Sequence, residues 1–341
     1  MNLLVTGGLG FIGSNFIRHI LGYRQSWKIT NLDKMTYSGN SDNHADLLKD
    51  SRYAFVNGDI CNKKIVNDLL TKSIDAIVHF AAETHVDRSI CGPEEFSITN
   101  VTGTLTLLEC SKNVRLHRFV HISTDEVYGA KKYGKSVETD RLNATLGNPY
   151  ALTKEAADKL VQSYFLHPNH LPITIVRPSN NYGPYQYPEK FIPLAITNAL
   201  ENKPIPIYGD GKQMRDWLFV EDNCEAILAV LERGKAGEVY NIGGTVFRDY
   251  TNKEIVEIIL DTLKKPKSLM VYVTDRPHHD VRYSLNYEKL MRDTGWGPRT
   301  SLSGGLEKTI KWYVDNHAWW ERIKSGQFKE YYLKQYGGGN K

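Results

Sequence analysis

A short apolar strand, Asn2-Leu3-Leu4-Val5-Thr6, runs into Gly7-Gly8-Leu9-Gly10-Phe11-Ile12-Gly13 and then into an amphipathic stretch that ends near Leu21. The spacing Gly8-x-Gly10-x-x-Gly13 narrows the possible folds more than any other feature. Its glycines permit a tight turn, close approach of backbone to a pyrophosphate, and close packing of helix on strand, while the helix N-terminus offers amide donors to phosphate. The bare pattern is common, so its context matters. Here it follows a strand, opens a helix, and precedes a second strand, Lys28-Ile29-Thr30-Asn31-Leu32, that ends at Asp33. A carboxylate there takes the ribose hydroxyls of an adenosine and repels a 2′-phosphate, which predicts NAD rather than NADP. Lys34, next along, weakens that preference.

The alternation of strand and helix continues as a doubly wound sheet requires. Tyr53–Asn57 reads as a third strand, followed by Gly58-Asp59-Ile60 with Asp59 near the adenine end. Residues 63 to 72 read as a helix, and Asp75–Phe80 as a fourth strand ending in Ala81-Ala82-Glu83-Thr84-His85-Val86-Asp87. The small alanines let backbone approach a cofactor. Thr84 and His85 face a substrate, with a hydrogen-bonded structural role the alternative for His85. Residues 94 to 113 are expected to form one long helix, and Arg118–Ser123 and Pro172–Arg177 two further strands. Glu238–Gly244 is one more, so the chain returns to its first domain before it ends. The expected fold is α/β: a doubly wound (Rossmann) parallel sheet with a smaller C-terminal α/β substrate domain. Residues 1–177 are expected to form the NAD-binding part, revisited around 215–244; residues 178–330 mainly hold the substrate; 331–341 is a tail, with Gly337–Lys341 expected to be disordered. Trp312, Trp319 and Trp320 are expected to pack into a core.

The strand Arg118–Ser123 delivers Thr124-Asp125-Glu126 to its carboxyl end, the edge of an open α/β sheet where ligands bind. Tyr150 and Lys154 follow at i, i+4 spacing, on one face of the next helix. A cation beside a phenol favours phenolate and makes a base of it. An isolated Tyr-x-x-x-Lys is frequent in helices, so order carries the argument: nucleotide loop, then Thr at a strand end, then Tyr and Lys.

Thr, Tyr and Lys in this order resemble the catalytic set of the short-chain dehydrogenase/reductase superfamily, in its extended branch. Thr124-Asp125-Glu126, residues 81–89 (AAETHVDRS), residues 180–190 (NNYGPYQYPEK), and Tyr208-Gly209-Asp210-Gly211 through Arg215-Asp216-Trp217 resemble the dTDP-glucose 4,6-dehydratase family over nearly the whole chain. The Thr-Asp-Glu element is the most specific part, since epimerases of the branch usually lack the acid pair. The resemblance implies a nucleotide-sugar substrate and the catalytic residues Thr124, Asp125, Glu126, Tyr150 and Lys154, with Glu126 as base and Asp125 as acid. It implies that NAD lies against Gly7, Gly10, Phe11, Ile12, Gly13, Asp33, Lys34, Thr36, Asp59, Ile60, Phe80, Ala81, Ala82, Thr99, Tyr150, Lys154 and Asn181. The nucleotide sugar is implied to touch Thr84, His85, Thr124, Asn180, Lys190, Phe191, Pro206, Tyr208, Arg215, Asn241, Arg276 and His279. Arg215 and Arg276 have planar forks suited to a diphosphate. A homodimer through residues 94–113 and 149–166 is implied by the resemblance alone. UDP-hexose 4,6-dehydratase and nucleotide-sugar 4-epimerase are the alternatives within the branch, and a non-catalytic NAD-binding scaffold is the alternative outside catalysis.

Three departures stand out. After Gly244 the family usually has His-Asn-Glu, whereas this chain has Thr245-Val246-Phe247-Arg248-Asp249-Tyr250. His278 stands where glycine is usual, and Tyr150 is followed by Ala-Leu-Thr rather than Ser-Ala-Ser. The first two concern the nucleotide end and leave uridine as the rival to thymidine. Net charge is +4 over 341 residues with no dense basic block, which argues against nucleic acid as partner. No apolar run is long enough to cross a bilayer, and Met1 leads directly into a strand rather than a leader. Cys61, Cys91, Cys110 and Cys224 are scattered without metal-ligand spacing, read as reduced thiols of a cytoplasmic protein with no metal site.

Overall fold

The structure is a computed structural model that describes residues 1–166, 171–244, 248–275 and 280–326. Seven strands form one parallel sheet: β1 (Asn2–Thr6), β2 (Lys28–Asp33), β3 (Tyr53–Asn57), β4 (Ala76–His79), β5 (Arg118–Ile122), β6 (Ile173–Pro178) and β7 (Val239–Ile242). Their order is β7-β6-β5-β4-β1-β2-β3. The winding reverses between β1 and β4, and the crevice beyond the carboxyl ends of those strands is where such a sheet binds ligands. The fold is the doubly wound sheet that the alternation predicts.

Successive side chains point to opposite faces, and both faces are apolar because both are covered. Leu3, Val5, Val78, Val120 and Val176 meet Phe16, Ile17 and Ile20 of α1 (Phe11–Tyr23) on one side. Their chain neighbours Leu4, Ile77, Phe119 and Ile175 point the other way. They pack with Val66 and Leu69 of α2 (Lys63–Leu70), Leu107 and Leu108 of α3 (Thr104–Ser111), and Val161 of α4 (Pro149–Phe165). A third core lies in the second half, where α5 (Phe191–Leu200), α6 (Val220–Arg233), α7 (Asn252–Thr262), α8 (Leu302–Asp315) and α9 (His317–Ser325) follow in order. Ile192, Ile196, Ile255, Ile259, Leu306, Ile310, Tyr313, Trp319 and Trp320 fill it. Both closing tryptophans are core residues. Trp319 donates its indole N–H to Asn43 Oδ1 at 3.0 Å, tying the end of the chain to its first half. No described helix is long and apolar enough to cross a membrane.

One expected element differs. Residues 94 to 113 do not make a single regular helix: Pro93–Phe96 is α-helical, Ser97–Gly103 is a π-helical widening, and α3 follows. The Asn100 amide accepts from Glu83 N at 2.8 Å and donates to Glu83 O at 3.0 Å, a pairing across to the end of β4 that competes with a regular helical turn. π-Turns of this kind recur at functional sites.

Beneath the carboxyl edge of the sheet, Arg177 on β6 forms a two-pronged ion pair with Asp158 on α4, Nε and Nη2 each 2.9 Å from a carboxylate oxygen. Both side chains are buried. Asp158 also accepts from Ser123 Oγ at 2.8 Å, and Arg177 donates to Tyr128 Oη at 2.8 Å. Removing one member of such a pair leaves an uncompensated buried charge. Asp158→Ala is therefore expected to cost about 3–5 kcal/mol in urea unfolding; a loss under about 1 kcal/mol contradicts this account of the pair.

Candidate active site

The glycine loop connects β1 to α1 at the winding reversal. Gly7 has φ +73°, and a Cβ there would sit 2.5 Å from Ala81 N, so the ends of β1 and β4 close on each other only with glycine. At Gly13 a Cβ would sit 2.4 Å from Gly7 O. Gly10 differs: its missing Cβ faces the cleft, with Gly7 O at 3.3 Å the one atom near it. Gly7 and Gly13 are thus required by protein packing, while Gly10 leaves backbone open to a ligand. The carboxylate of Asp33, at the end of β2, accepts from Leu9 N at 2.9 Å and from Met35 N at 2.8 Å. Burial raises its pKa, and those two amides oppose the rise. Lys34 Nζ lies 3.6 Å from Asp59 and donates to Thr99 Oγ1 at 3.2 Å, so its charge is answered within the protein.

At the other end of the cleft, β5 delivers Thr124. Its hydroxyl caps the short turn Asp125–Tyr128 by accepting from Glu126 N at 3.3 Å, and donates to Asp125 Oδ1 at 3.2 Å. The two acids are treated differently. Asp125 is buried with Oδ2 unpaired, and burial, Glu126 and Asp216 push its pKa well above the usual carboxylate range, against Arg215 and the Thr124 hydrogen bond. Burial also raises Glu126, but an amide hydrogen bond from Asn148, and Arg215 and Lys190, pull it back, against Asp280. Neighbouring carboxyls with unequal environments can hold opposite protonation states at one pH, an acid beside a base.

Helix α4 presents Tyr150 and Lys154 to the same space. The expected lowering of the phenol by Lys154 is not what dominates: burial, then Glu126 and Asp125, hold Tyr150 above its ordinary value, with a Thr124 hydrogen bond opposing. The Lys154 ammonium turns to Ile122 O at 2.6 Å, and burial lowers its pKa to about 8. Desolvation acts on both groups at full strength, whereas a charge acts through distance and direction.

Residues from both halves line this space, a cavity of about 280 Å³ continued by one of about 200 Å³. Every residue named above for the cofactor lines the first, with Thr124, Asp125 and Glu126. Thr84, His85, Asn180, Lys190, Phe191, Pro206, Tyr208 and Arg215 line the second. His85 also caps the helix Val86–Cys91, accepting from Arg88 N at 3.3 Å, so its structural role is real. Asn241 is a correction. Its side chain is fully buried and lines neither cavity, accepting from Tyr128 Oη at 2.7 Å and donating to Ser136 O at 3.1 Å, because β7, at the edge of the sheet, turns it against the 125–128 turn and Ser136. Arg276 and His279 lie outside the described residues, as do residues 245–247 and His278. The structure adds Asn148, Gln186, Glu189, Trp217, Asn252, Asp280 and Tyr283 to the walls. Of these, Gln186, Glu189 and Trp217 fall inside the motifs quoted above without having been singled out, and Asn148 carried a local signal as an N-cap residue before a proline.

The residues fit a dinucleotide: carboxylates at one end, the open glycine backbone midway, and at the far end Tyr150, Lys154 and two buried acceptors, Ser179 Oγ and Asn181 Oδ1, without partners. Among the described residues no cluster of three or more His, Cys, Asp or Glu could hold a metal ion.

A family model described as GDP-mannose 4,6 dehydratase matches residues 4–309. A dTDP-glucose 4,6-dehydratase of Streptomyces niveus is 48% identical over 330 residues, 95% of this chain and 96% of that protein. Among solved structures, the dTDP-glucose 4,6-dehydratase DesIV of Streptomyces venezuelae, with NAD and TYD bound, superposes with a TM-score of 0.91 at 45% identity, covering 95% of this chain and 100% of the other. A UDP-glucuronic acid 4-epimerase of Bacillus cereus, in complex with UDP-glucuronic acid and NAD, has a TM-score of 0.86 at 30% identity, covering 92% and 99%.

Lys154 makes a testable statement about stability. The unfolded chain keeps this proton up to about pH 10.5 and the folded one up to about 8, so a penalty is present below pH 8 and is lifted as pH rises through that window. Lys154→Met is expected to unfold at higher urea than the parent below pH 8, by on the order of 1–3 kcal/mol after the lost Ile122 contact, and to lose that advantage towards pH 10.5. A difference that stays constant with pH would contradict the buried cation.

Proposed function

The chain belongs to the GDP-mannose 4,6-dehydratase family, and we propose that within it this protein is a dTDP-glucose 4,6-dehydratase, a hydro-lyase that yields the 4-keto-6-deoxy sugar. The observation that carries the reading is the buried pair Asp125 and Glu126, adjoining Tyr150, with burial raising both acids and the Asn148 amide hydrogen bond opposing the rise at Glu126 alone. A 4-epimerase has no use for such a pair.

The glycine loop and Asp33 would hold NAD, which when bound would supply the hydride acceptor for oxidation at C4 and the hydride donor for reduction at C6. The protein manages the protons. Tyr150 Oη takes the proton of the 4-hydroxyl, Thr124 Oγ1 hydrogen-bonds the same oxygen, and Lys154 supplies positive charge one helical turn away. With C4 a ketone, the C5 hydrogen becomes acidic. Glu126 removes it, and Asp125 gives its proton to the C6 hydroxyl, which departs as water. As hydride returns to C6, Glu126 gives its proton back to C5, and the proton held by Tyr150 restores Asp125, so that each hexose yields one ketosugar and one water with every group reset. Lys190 and Arg215 are suited to the diphosphate, and Phe191, stacked 6.1 Å from Trp217, to the base.

Two further readings accompany the activity. We read the unpaired, scattered thiols as supporting a cytoplasmic setting. The partly exposed Ile98, Leu105 and Leu152 support a homodimer through residues 94–113 and 149–166.

Incubation with dTDP-glucose carrying deuterium at C4 should give product with the label in the C6 methyl group; washout or retention at C4 would end this reading. Tyr150→Phe should lower kcat by about 10²–10⁴, whereas a non-catalytic NAD-binding scaffold predicts no change. UDP-glucose turned over faster than dTDP-glucose would reassign the base.

A further inference from the structure

We infer that Asn148 is a positioning residue for the elimination step, holding the Glu126 carboxylate ionised and fixed to the helix that bears Tyr150. The inference rests on the reading of Glu126 as the C5 base, and goes beyond it to a residue outside the acid-base set.

Asn148 is buried and stands at the N-cap of α4. Its carboxamide is used at both ends. Oδ1 accepts from Ala151 N at 3.1 Å, satisfying a donor of the first helical turn, and Nδ2 donates to Glu126 Oε2 at 2.8 Å. Reversing the amide would set its NH2 against the Ala151 N–H and its oxygen against the carboxylate, so its orientation is fixed by both partners. The backbone is fixed too. Pro149 locks the first helical position, and a residue preceding proline is disfavoured in the helical region, outside which Asn148 lies with φ −112° and ψ 87°. One side chain therefore clamps the turn carrying Glu126 to the helix carrying Tyr150, two residues further on.

The charge environment gives the clamp its chemical content. Asp280 and Tyr283 face Glu126 from one side, Arg215 and Lys190 from another, Tyr150 from α4, and Asp125 adjoins it in the chain. Asp280 favours the protonated acid, while the two cations favour the carboxylate. Those cations are also the groups suited to the substrate's diphosphate, and a phosphate near them offsets their pull on Glu126. The Asn148 amide is neutral, directional and outside that exchange. It remains the donor that favours carboxylate when substrate is bound.

Two substitutions separate this role from helix capping. Asn148→Ser keeps a good cap but is too short to reach Glu126; Asn148→Asp keeps cap and shape while replacing the donor by a like charge. With NAD-loaded enzyme and dTDP-glucose, both should retain NAD and show KM within about twofold of the parent, while kcat at pH 6 falls about 10- to 100-fold, the scale of a lost hydrogen bond to a charged group. The acid limb of the kcat–pH profile should move to higher pH, further for Asn148→Asp than for Asn148→Ser. Deuterium at C5 should slow both variants more than the parent, and deuterium at C4 should not. An unmoved acid limb in Asn148→Ser, with that variant folded and NAD-loaded, overturns the inference, as does a change confined to KM or thermal stability. Glu126→Gln is the control. If it keeps the parent's acid limb, the assignment of the base fails; if it abolishes turnover while the Asn148 variants behave as the parent, the inference about Asn148 alone fails.

Discussion

The buried ion pair between Arg177 and Asp158 is the contact on which the rest of the site depends. It joins β6 to α4, and its hydrogen bonds reach Ser123, immediately before Thr124, and Tyr128, two residues after Glu126. Tyr128 in turn engages Asn241 on β7. The turn carrying the two acids is thus gripped at both ends by one charged network, and the helix carrying Tyr150 and Lys154 is gripped by the same network one turn beyond Lys154. An apolar replacement could supply stability, since buried pairs recover little net free energy after desolvation. It could not fix direction, and direction is what groups exchanging protons over a few ångströms require.

Burial does most of the electrostatic work in the cleft. It lowers Lys154 towards neutrality, lifts the Tyr150 phenol, and raises both acids. What distinguishes the acids is their partners: both feel Arg215, but Asp125 has Glu126 and Asp216 against it, while Glu126 has the Asn148 amide and Lys190 to set against Asp280. Each of these groups costs stability where it stands, the cost usual when ionisable side chains are gathered in a cleft for chemistry. The deep apolar cores on both faces of the sheet and in the second half offset it. Both closing tryptophans belong to the last of these, and Trp319 links it back to Asn43.

The parallel sheet was legible because its signals are local. Each strand is a short apolar run with the glycine loop or a helix between, and a run apolar on both faces can be placed only inside a covered sheet. The glycine loop was legible because a backbone that must approach another backbone, as Gly7 approaches Ala81, leaves its mark in the residue itself. The π-widening at Ser97–Gly103 was not, since it depends on Asn100 finding Glu83 from another element. Asn241 was read correctly as a strand residue, but not the direction of its side chain, because which way a strand residue points is decided by its neighbours.

The sequence by itself determined the winding of the sheet, the place of the nucleotide loop, and the order in which Thr124, Asp125, Glu126, Tyr150 and Lys154 arrive at one edge. Periodicity and glycine spacing act over a few residues, and so survive in a string of letters. The tertiary structure alone decided how those groups are charged and what holds them. Asp125 and Glu126 are adjacent and nearly alike, and Arg215 reaches both; they differ because Asn148, Lys190 and Asp280 reach Glu126 while Asp216 reaches Asp125. Those partners come from distant parts of the chain, and no local pattern records which of them will meet.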